Sequence, residues 1–206
     1  MIINAVDDAN NLFEVKNPIS QETMEELNKL DLLSLPTIEN PGQELWDRVA
    51  INKDSHPVFD KIELEMNTHC GLISKAVDRE VKSLWAVFWL DYEGFTIATH
   101  VDASGVDIAL QLYLKDLPYA GTRFFTPDPN DMYEKNDNQR WHWRPGSKEY
   151  SYKDPMLPIR SIPRKKFRCI ANTGYIMKNH PAQLHSVPVV LKKGELRLSA
   201  YFHMRF

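Results

Sequence analysis

A histidine and an aspartate two residues apart, His100 and Asp102, carry the clearest chemistry in this sequence. If the segment from Thr96 to Asp102 is extended, its side chains alternate between two faces, so both groups project to the same side. One imidazole and one carboxylate are two thirds of the ligand set that holds a non-haem iron and leaves three coordination positions open. The spacing alone is not specific, because it also suits a hydrogen-bonded surface or turn pair.

A third metal ligand must come from far along the chain, and two histidines compete for that role. His180 stands before Pro181 in a segment typical of a turn, whereas His185 begins an apolar run that enters a strand. The sequence therefore favours His185 as the third ligand.

A second candidate site follows near the C-terminus. In an extended segment Arg197, Ser199 and Tyr201 share one face. Arginine offers a planar fork of two donors and serine adds a third, so the pair Arg197 and Ser199 predicts a carboxylate receptor. The alternative is a guanidinium that reaches solvent from the edge of a strand.

Composition limits the classes of function. The chain has 206 residues, a net charge of −3 and 26% charged residues. Its length fits one domain, residues 1–206, and its acidic balance gives no strong signal for nucleic-acid or membrane binding. The two cysteines, Cys70 and Cys169, follow no disulfide or zinc spacing, which favours a reduced cytoplasmic setting. We expect neither a cleaved leader nor a membrane-spanning segment.

Residues 1–83 are predicted to form a helical and loop region that supports the rest. A short strand is expected at residues 12–15, and Ser20 is a good N-cap for a short amphipathic helix. One longer helix is expected after Pro57, because apolar residues then recur every three or four positions, at 59, 62, 66, 70, 73 and 77.

From Lys82 onward the pattern is that of short strands. β-Branched and aromatic runs lie at residues 84–90, 95–101, 108–114, 122–125, 167–177, 185–191 and 196–204. We therefore expect a mainly β protein, a β-sandwich or a jelly roll at residues 84–206, with one or two helices against one sheet. A long polar insertion interrupts it at residues 127–166. Within that insertion, Trp141 and Trp143 are candidates for clamping a substrate. The alternative is that the insertion is a flap with a solvated basic face.

The order of these motifs resembles that of Fe(II)/2-oxoglutarate-dependent oxygenases over roughly residues 84–206. The resemblance is greatest to the compact prolyl-4-hydroxylase-like branch and to small oxygenase-like proteins of marine phages. It is carried by these motifs in order: WLDYEGF at 89–95, His100 with Asp102, QLYLKD at 111–116, GTRF at 121–124, NTGY at 172–175, His185-Ser-Val, and Gly194-x-x-Arg197-x-Ser199.

The resemblance implies a double-stranded β-helix with iron at its open end. It implies that His100, Asp102 and His185 ligate Fe(II), that Arg197 and Ser199 bind the far carboxylate of 2-oxoglutarate, and that Tyr113, with Gln111 on the same strand face, belongs to the cofactor site. The gap between His185 and Arg197 is longer than is usual in prolyl hydroxylases. Lys192 or Lys193 therefore remains an alternative carboxylate ligand, and Trp89 and Tyr92 either line the pocket or pack in the core.

The implied activity is hydroxylation of a peptidyl prolyl or other amino-acid side chain, with 2-oxoglutarate as cosubstrate, O2 as oxidant and ascorbate in support. The substrate is thus a small molecule or a peptide, and the setting is cytoplasmic, a host cytoplasm if the chain is phage-encoded. A cupin-like jelly roll that binds a metal or small molecule without oxygenase activity is the main alternative. A virion-associated interaction protein with this fold is a third, and a basic cluster at residues 160–168 keeps nucleobase repair open as a substrate class.

Overall fold

The computed structural model describes residues 1–6, 11–38, 47–100, 102, 107–126, 132–135, 141–144, 162–179 and 183–206. Helices within these ranges are α1 (Gln21–Asn28), α2 (Pro57–Asn67) and α3 (Cys70–Val77), with short 3-10 helices at Leu32–Ser34 and Lys53–Ser55. The strands are β1 (Ile2–Ala5), β2 (Leu12–Lys16), β3 (Thr37–Ile38), β4 (Arg48–Ile51), β5 (Ser83–Asp91), β6 (Ile97–His100), β7 (Ile108–Tyr113), β8 (Arg123–Thr126), β9 (Met132–Lys135), β10 (Trp141–Arg144), β11 (Ile162–Lys166), β12 (Thr173–Lys178), β13 (Leu184–Val187) and β14 (Arg197–Arg205).

These strands form two antiparallel sheets, as a jelly roll requires. The larger sheet has the order β1-β2-β12-β7-β14-β5-β4-β3, and the smaller has the order β11-β8-β13-β6-β10-β9. Side chains from both sheets meet in one apolar cluster, which joins Tyr113 and Tyr175 of the larger sheet to Phe124 of the smaller. The predicted mainly β jelly roll with supporting helices is confirmed.

The helices cover the other face of the larger sheet. Phe59, Ile62 and Met66 of α2 are completely buried and belong to one cluster with Leu110 and Phe202 of the sheet. The predicted cap of α1 is present, since the Ser20 hydroxyl accepts a hydrogen bond from the Thr23 amide at 3.2 Å.

The prediction of a single long helix after Pro57 is wrong, because the chain bends between α2 and α3. The Asn67 side chain donates to the Leu84 carbonyl at 2.9 Å and accepts from the Leu84 amide at 2.8 Å. Within the bend, His69 Nε2 lies 2.9 Å from the Pro18 carbonyl oxygen. These contacts to β5 and to the loop before α1 hold the two helices apart, although the apolar periodicity continues through both.

The N-terminal region contributes strands as well as support. β1 and β2 extend one side of the larger sheet, while β3 and β4 extend the other. The strand predicted at residues 12–15 is β2, which pairs with β12. β12 in turn passes so close to β7 that a Cβ atom on Gly174 would lie 1.9 Å from the Gln111 carbonyl oxygen. Only glycine fits at that position.

β14 divides its side chains between the two faces of the sheet. Leu198, Ala200 and Phe202 join the cluster on the helical side. Arg197 and Ser199 face the other sheet and are almost fully buried, whereas Arg205 at the far end of the strand is exposed. The polar face of β14 is therefore buried at its Arg197 end and exposed to solvent at its Arg205 end.

Parts of the predicted insertion at residues 127–166 are joined to the smaller sheet. β10 pairs with β6 and places His142 opposite His100 along the backbone, and β9 pairs with β10. The remainder of the insertion before Ile162 and the competing ligand His180 lie outside the described residues. Among the described residues, no helix is both long enough and apolar enough to cross a membrane.

Candidate metal centre and carboxylate receptor

Two of the three predicted metal ligands meet in the structure. His185 Nε2 lies 3.6 Å from Asp102 Oδ1, although the two residues are far apart in sequence. β13 also pairs with β6 so that His185 and His100 are direct backbone partners. The side chain of His100 lies outside the described part of the chain, so the structure brings its backbone, and not its imidazole, to this site.

The His185 ring is held in a defined orientation. Its Nδ1 lies 3.0 Å from the Gln183 carbonyl oxygen, and its face stacks on Phe124 with 5.3 Å between ring centroids. Since a carbonyl can only accept, Nδ1 carries the proton of the neutral ring, so that Nε2 is the nitrogen available to a metal, whereas a protonated ring donates from Nε2 to Asp102. Burial lowers the pKa of His185, but the hydrogen bond and charge of Asp102 outweigh burial and raise the pKa above its ordinary value.

Asp102 is fixed by neighbours on both its backbone and its side chain. The Asn179 side-chain amide donates to the Asp102 carbonyl at 3.2 Å, and the Tyr201 hydroxyl donates to Asp102 Oδ2 at 3.4 Å. The contact with Tyr201 was not predicted, although the shared strand face of Arg197, Ser199 and Tyr201 pointed to it. A carboxylate held in this way keeps Oδ1 toward His185.

The donor set suits a first-row divalent metal. An imidazole nitrogen and a carboxylate oxygen 3.6 Å apart can both bind one ion at the usual distances of about 2.0–2.2 Å. The described side chains do not include that of His100, and among them no group of three or more metal-binding residues is found. The geometry thus fits a metal at the His185 and Asp102 pair.

Arg197 points into the protein, as a carboxylate receptor requires, and is 1% exposed. Its Nε donates to the Ala120 carbonyl at 2.9 Å, and its Nη1 forms an ion pair with Asp91. Burial disfavours the charged guanidinium, but Asp91 keeps the pKa of Arg197 above its ordinary value. The alternative carboxylate ligands, Lys192 and Lys193, are exposed.

Ser199 supplies an unsatisfied hydroxyl on the same face of β14 as Arg197. Its Oγ is buried and has no hydrogen-bond partner within the described residues. Only two of the five N–H groups of Arg197 are used by protein acceptors in that part of the chain. Buried polar groups are rarely left unpaired, so these donors fit a bound carboxylate.

Tyr113 and Gln111 lie on the same side of the sheet but have protein partners. The Tyr113 hydroxyl donates to Thr122 Oγ1 at 2.8 Å and accepts from the Thr122 amide at 3.0 Å, while its ring centre lies 5.2 Å from the Arg197 guanidinium. Gln111 Nε2 donates to the Ala200 carbonyl at 3.3 Å. In this structure Tyr113 therefore contacts the guanidinium through its ring.

Two charged residues beside Arg197 were missed. Asp91 is fully buried between the guanidiniums of Arg197 and Arg48, and Arg48 Nη2 lies 3.1 Å from Asp91 Oδ2. A lone acidic residue at the end of the apolar run 84–90 was the available signal for Asp91. Arg48 had no such sequence signal, because it reaches Asp91 only through the pairing of β4 with β5.

Trp89 belongs to this same cluster. It is 8% exposed and its ring centre lies 5.1 Å from the Arg48 guanidinium carbon. Tyr92 is half-buried, and its amide donates to the Asp47 carbonyl at 3.1 Å. Trp89 is thus placed to pack against the charged residues next to the receptor.

No protein-family model and no curated protein matches this sequence. Solved structures do match. A prolyl-4-hydroxylase from Pseudomonas putida is similar at 15% identity and a TM-score of 0.56, over 98% of this chain and 96% of that one. HygX from Streptomyces hygroscopicus, with nickel and 2-oxoglutarate bound, is similar at 12% identity and a TM-score of 0.58, over 93% and 82%.

The epimerase SnoN, in complex with Fe3+, α-ketoglutarate and nogalamycin RO, is similar at 16% identity and a TM-score of 0.58, over 93% of this chain and 77% of that one. The chain therefore has the fold of the Fe(II)/2-oxoglutarate-dependent oxygenases, including that of a prolyl-4-hydroxylase. The resemblance to phage proteins stays a prediction.

Proposed function

We propose that this protein is an Fe(II)- and 2-oxoglutarate-dependent dioxygenase that hydroxylates an amino-acid side chain, with a peptidyl proline as the first candidate. One observation carries the proposal. The pair of His185 and Asp102 and the buried donors of Arg197 and Ser199 are connected by one face of β14, through the hydrogen bond from Tyr201 to Asp102.

The dimensions of this face suit a small dicarboxylate. Arg197 and Tyr201 are four residues apart, which corresponds to about 13 Å along a strand, and Ser199 lies midway. The side chains of Arg197 and Tyr201 take up part of that distance. In the proposed arrangement, a five-carbon diacid lies between the guanidinium and a metal bound beside Asp102.

Each residue then has a distinct role. His100, Asp102 and His185 hold the iron, which supplies the activation of O2 when it is bound. Arg197 and Ser199 hold the far carboxylate of 2-oxoglutarate and so orient its keto acid end toward the metal. The aromatic cluster of Tyr113, Phe124 and Tyr175 excludes water from the interior between the sheets.

The substrate class rests on the fold neighbours. The Pseudomonas putida neighbour is a prolyl-4-hydroxylase, whereas HygX was solved with hygromycin B and SnoN with nogalamycin RO. A peptide and a small molecule are therefore the two classes to compare. We place the reaction in the cytoplasm, where the free thiols of Cys70 and Cys169 stay reduced and ascorbate keeps the iron in its ferrous state.

Two experiments test this function. Without oxygen, addition of 2-oxoglutarate to the Fe(II)-loaded protein is expected to give a weak visible absorption band. If no band appears, the cupin-like alternative is favoured. With oxygen and ascorbate, mass spectrometry of peptides, free amino acids, small molecules and oligonucleotides is expected to show the gain of one oxygen atom in a prolyl peptide. Modification of oligonucleotides alone would identify a nucleobase substrate instead.

A further inference from the structure

Three charges are buried together at the candidate carboxylate receptor. The Asp91 carboxylate is fully buried, and the side chain of Arg197 is 2% exposed. Arg48 contacts both oxygens of Asp91, and its side chain is only 10% exposed. The Phe95 ring packs against both guanidiniums, with centroid distances of 4.7 Å to Arg48 and 5.4 Å to Arg197.

The sum of these charges matters for anion binding. Asp91 and Arg197 by themselves would form a neutral pair, which attracts a carboxylate only weakly. Arg48 adds a second positive charge, so the three residues together carry a charge of about +1. In a buried site the field of such a cluster is little screened by solvent.

The same contacts fix the direction of the receptor. Asp91 engages Nη1 of Arg197 and the Ala120 carbonyl engages Nε, which settles the plane of the guanidinium. The remaining N–H groups are then left for a ligand, on the strand face that also carries the unpaired Ser199 hydroxyl. A preorganised fork loses less entropy when it binds than a mobile one.

We propose that Asp91 and Arg48 are positioning residues for the cosubstrate. Asp91 orients Arg197, and Arg48 neutralises Asp91 so that Arg197 keeps its full attraction for the far carboxylate of 2-oxoglutarate. This inference rests on the proposed function. Arg48 acts through Asp91 and touches no ligand itself, so its effect depends on the charge at that end of the ligand.

The test compares two ligands on the Fe(II)-loaded protein by anaerobic titration calorimetry. 2-Oxopentanoate has the same keto acid end as 2-oxoglutarate but lacks the far carboxylate. We expect Arg48→Met to weaken binding of 2-oxoglutarate about tenfold and to leave binding of 2-oxopentanoate within about twofold. Asp91 keeps Arg197 as its partner in this variant, so the fold is retained. If Arg48→Met does not fold, Arg48→Gln, which keeps a donor for Asp91, carries the same expectation.

Two further variants separate charge from structure. Arg48→Lys retains the positive charge but not the two-pronged contact with Asp91, so its affinity for 2-oxoglutarate should lie between those of Arg48→Met and the unmodified protein. Arg205→Met removes an exposed positive charge at the far end of β14 and should change neither affinity. If the ratio of the two affinities is the same in Arg48→Met and the unmodified protein, the inference is wrong. If the unmodified protein does not bind 2-oxoglutarate at all, the proposed function is wrong.

Discussion

At the scale of single residues, the candidate metal site depends on side chains that are oriented before any metal arrives. The Gln183 carbonyl orients His185, and Tyr201 and Asn179 orient Asp102. Such outer partners set the direction and basicity of metal ligands, and their loss usually costs about 10- to 100-fold in metal affinity or activity. Loss of a ligand itself should cost at least as much.

The first prediction concerns the ligands. His185→Ala, Asp102→Ala and His100→Ala should each lower succinate formation from 2-oxoglutarate by about 100-fold or more, because each residue supplies one donor atom to the iron in the proposed site. Succinate is measured with and without substrate. His69→Gln, which changes a histidine on the helical side of the larger sheet, is the control and should retain activity. Unchanged succinate formation in a ligand variant would remove that residue from the site.

The second prediction concerns Tyr201. Tyr201→Phe removes only the hydroxyl that donates to Asp102 Oδ2 at 3.4 Å. Because this hydrogen bond is long, Fe(II) affinity should fall by about tenfold, the lower end of the range for outer partners. Affinity is measured by anaerobic titration with a competing chelator. Tyr92→Phe is the matched control, and an equal loss in both variants would show a general effect on the fold.

The third prediction concerns a buried thiol. Burial raises the pKa of Cys169 from its ordinary value of about 9 to about 11. At pH 8 and below, the thiol is almost entirely protonated in both the folded and the unfolded chain. Between about pH 9 and 11 the unfolded chain loses this proton while the folded chain keeps it, so the thiol's contribution to stability falls as the pH rises.

Urea unfolding of the unmodified protein and of Cys169→Ala at pH 8 and pH 10.5 measures this effect. The difference in unfolding free energy between the two proteins should shrink by about 2 kcal/mol at the higher pH. Cys70→Ala should show a smaller change, since Cys70 is only partly buried. A difference that does not vary with pH would mean that Cys169 ionises at its ordinary pKa.

At the scale of helices and strands, features set by a local residue pattern could be predicted from the sequence, whereas features set by contacts between distant segments could not. The alternation of Arg197, Ser199 and Tyr201 with apolar residues identifies the two faces of β14, because a strand repeats every two residues. The bend between α2 and α3 could not be deduced, since it is held by contacts of Asn67 with a distant strand. Arg48 and Asp91 likewise meet only through strand pairing, which no local pattern encodes.

The fourth prediction tests the close approach of β12 and β7. Gly174→Ala would place a Cβ atom 1.9 Å from the Gln111 carbonyl oxygen, so neighbouring backbones must move apart. We expect a loss of about 3 kcal/mol or more in unfolding free energy. Gly71→Ala in α3 is the matched control, because a Cβ atom at that position meets nothing within 4 Å. This substitution should stabilise the helix by about 0.5–1 kcal/mol. Equal effects in denaturant titrations would contradict the packing of these strands.

At the scale of the whole molecule, the candidate ligand groups come from both sheets. Arg197 and Ser199 belong to the larger sheet, while His185 belongs to the smaller one. A mainly β jelly roll was predictable from the succession of short strands, and its confirmation explains why distant residues meet. A metal and 2-oxoglutarate bound between the sheets would hold the two layers together.

The fifth prediction follows from that arrangement. A ligand present at 100 times its dissociation constant should raise the unfolding free energy by about 2.7 kcal/mol, if it binds only the folded state. Unfolding is measured without oxygen, with Fe(II) alone and with Fe(II) plus 2-oxoglutarate. Arg197→Met should keep the increment from iron and lose most of the increment from 2-oxoglutarate. If both increments persist in Arg197→Met, Arg197 does not bind the cosubstrate.

The two-faced character of β14 also has a consequence for how errors in folding affect this protein. A displacement of this strand by one position would turn Arg197 toward the leucines and phenylalanines beneath the helices and would turn Leu198 toward the charged cluster. Such a copy would be unstable and would also lack its ligand-binding groups. Proteases that degrade unstable chains would therefore also remove the copies that cannot bind the ligand.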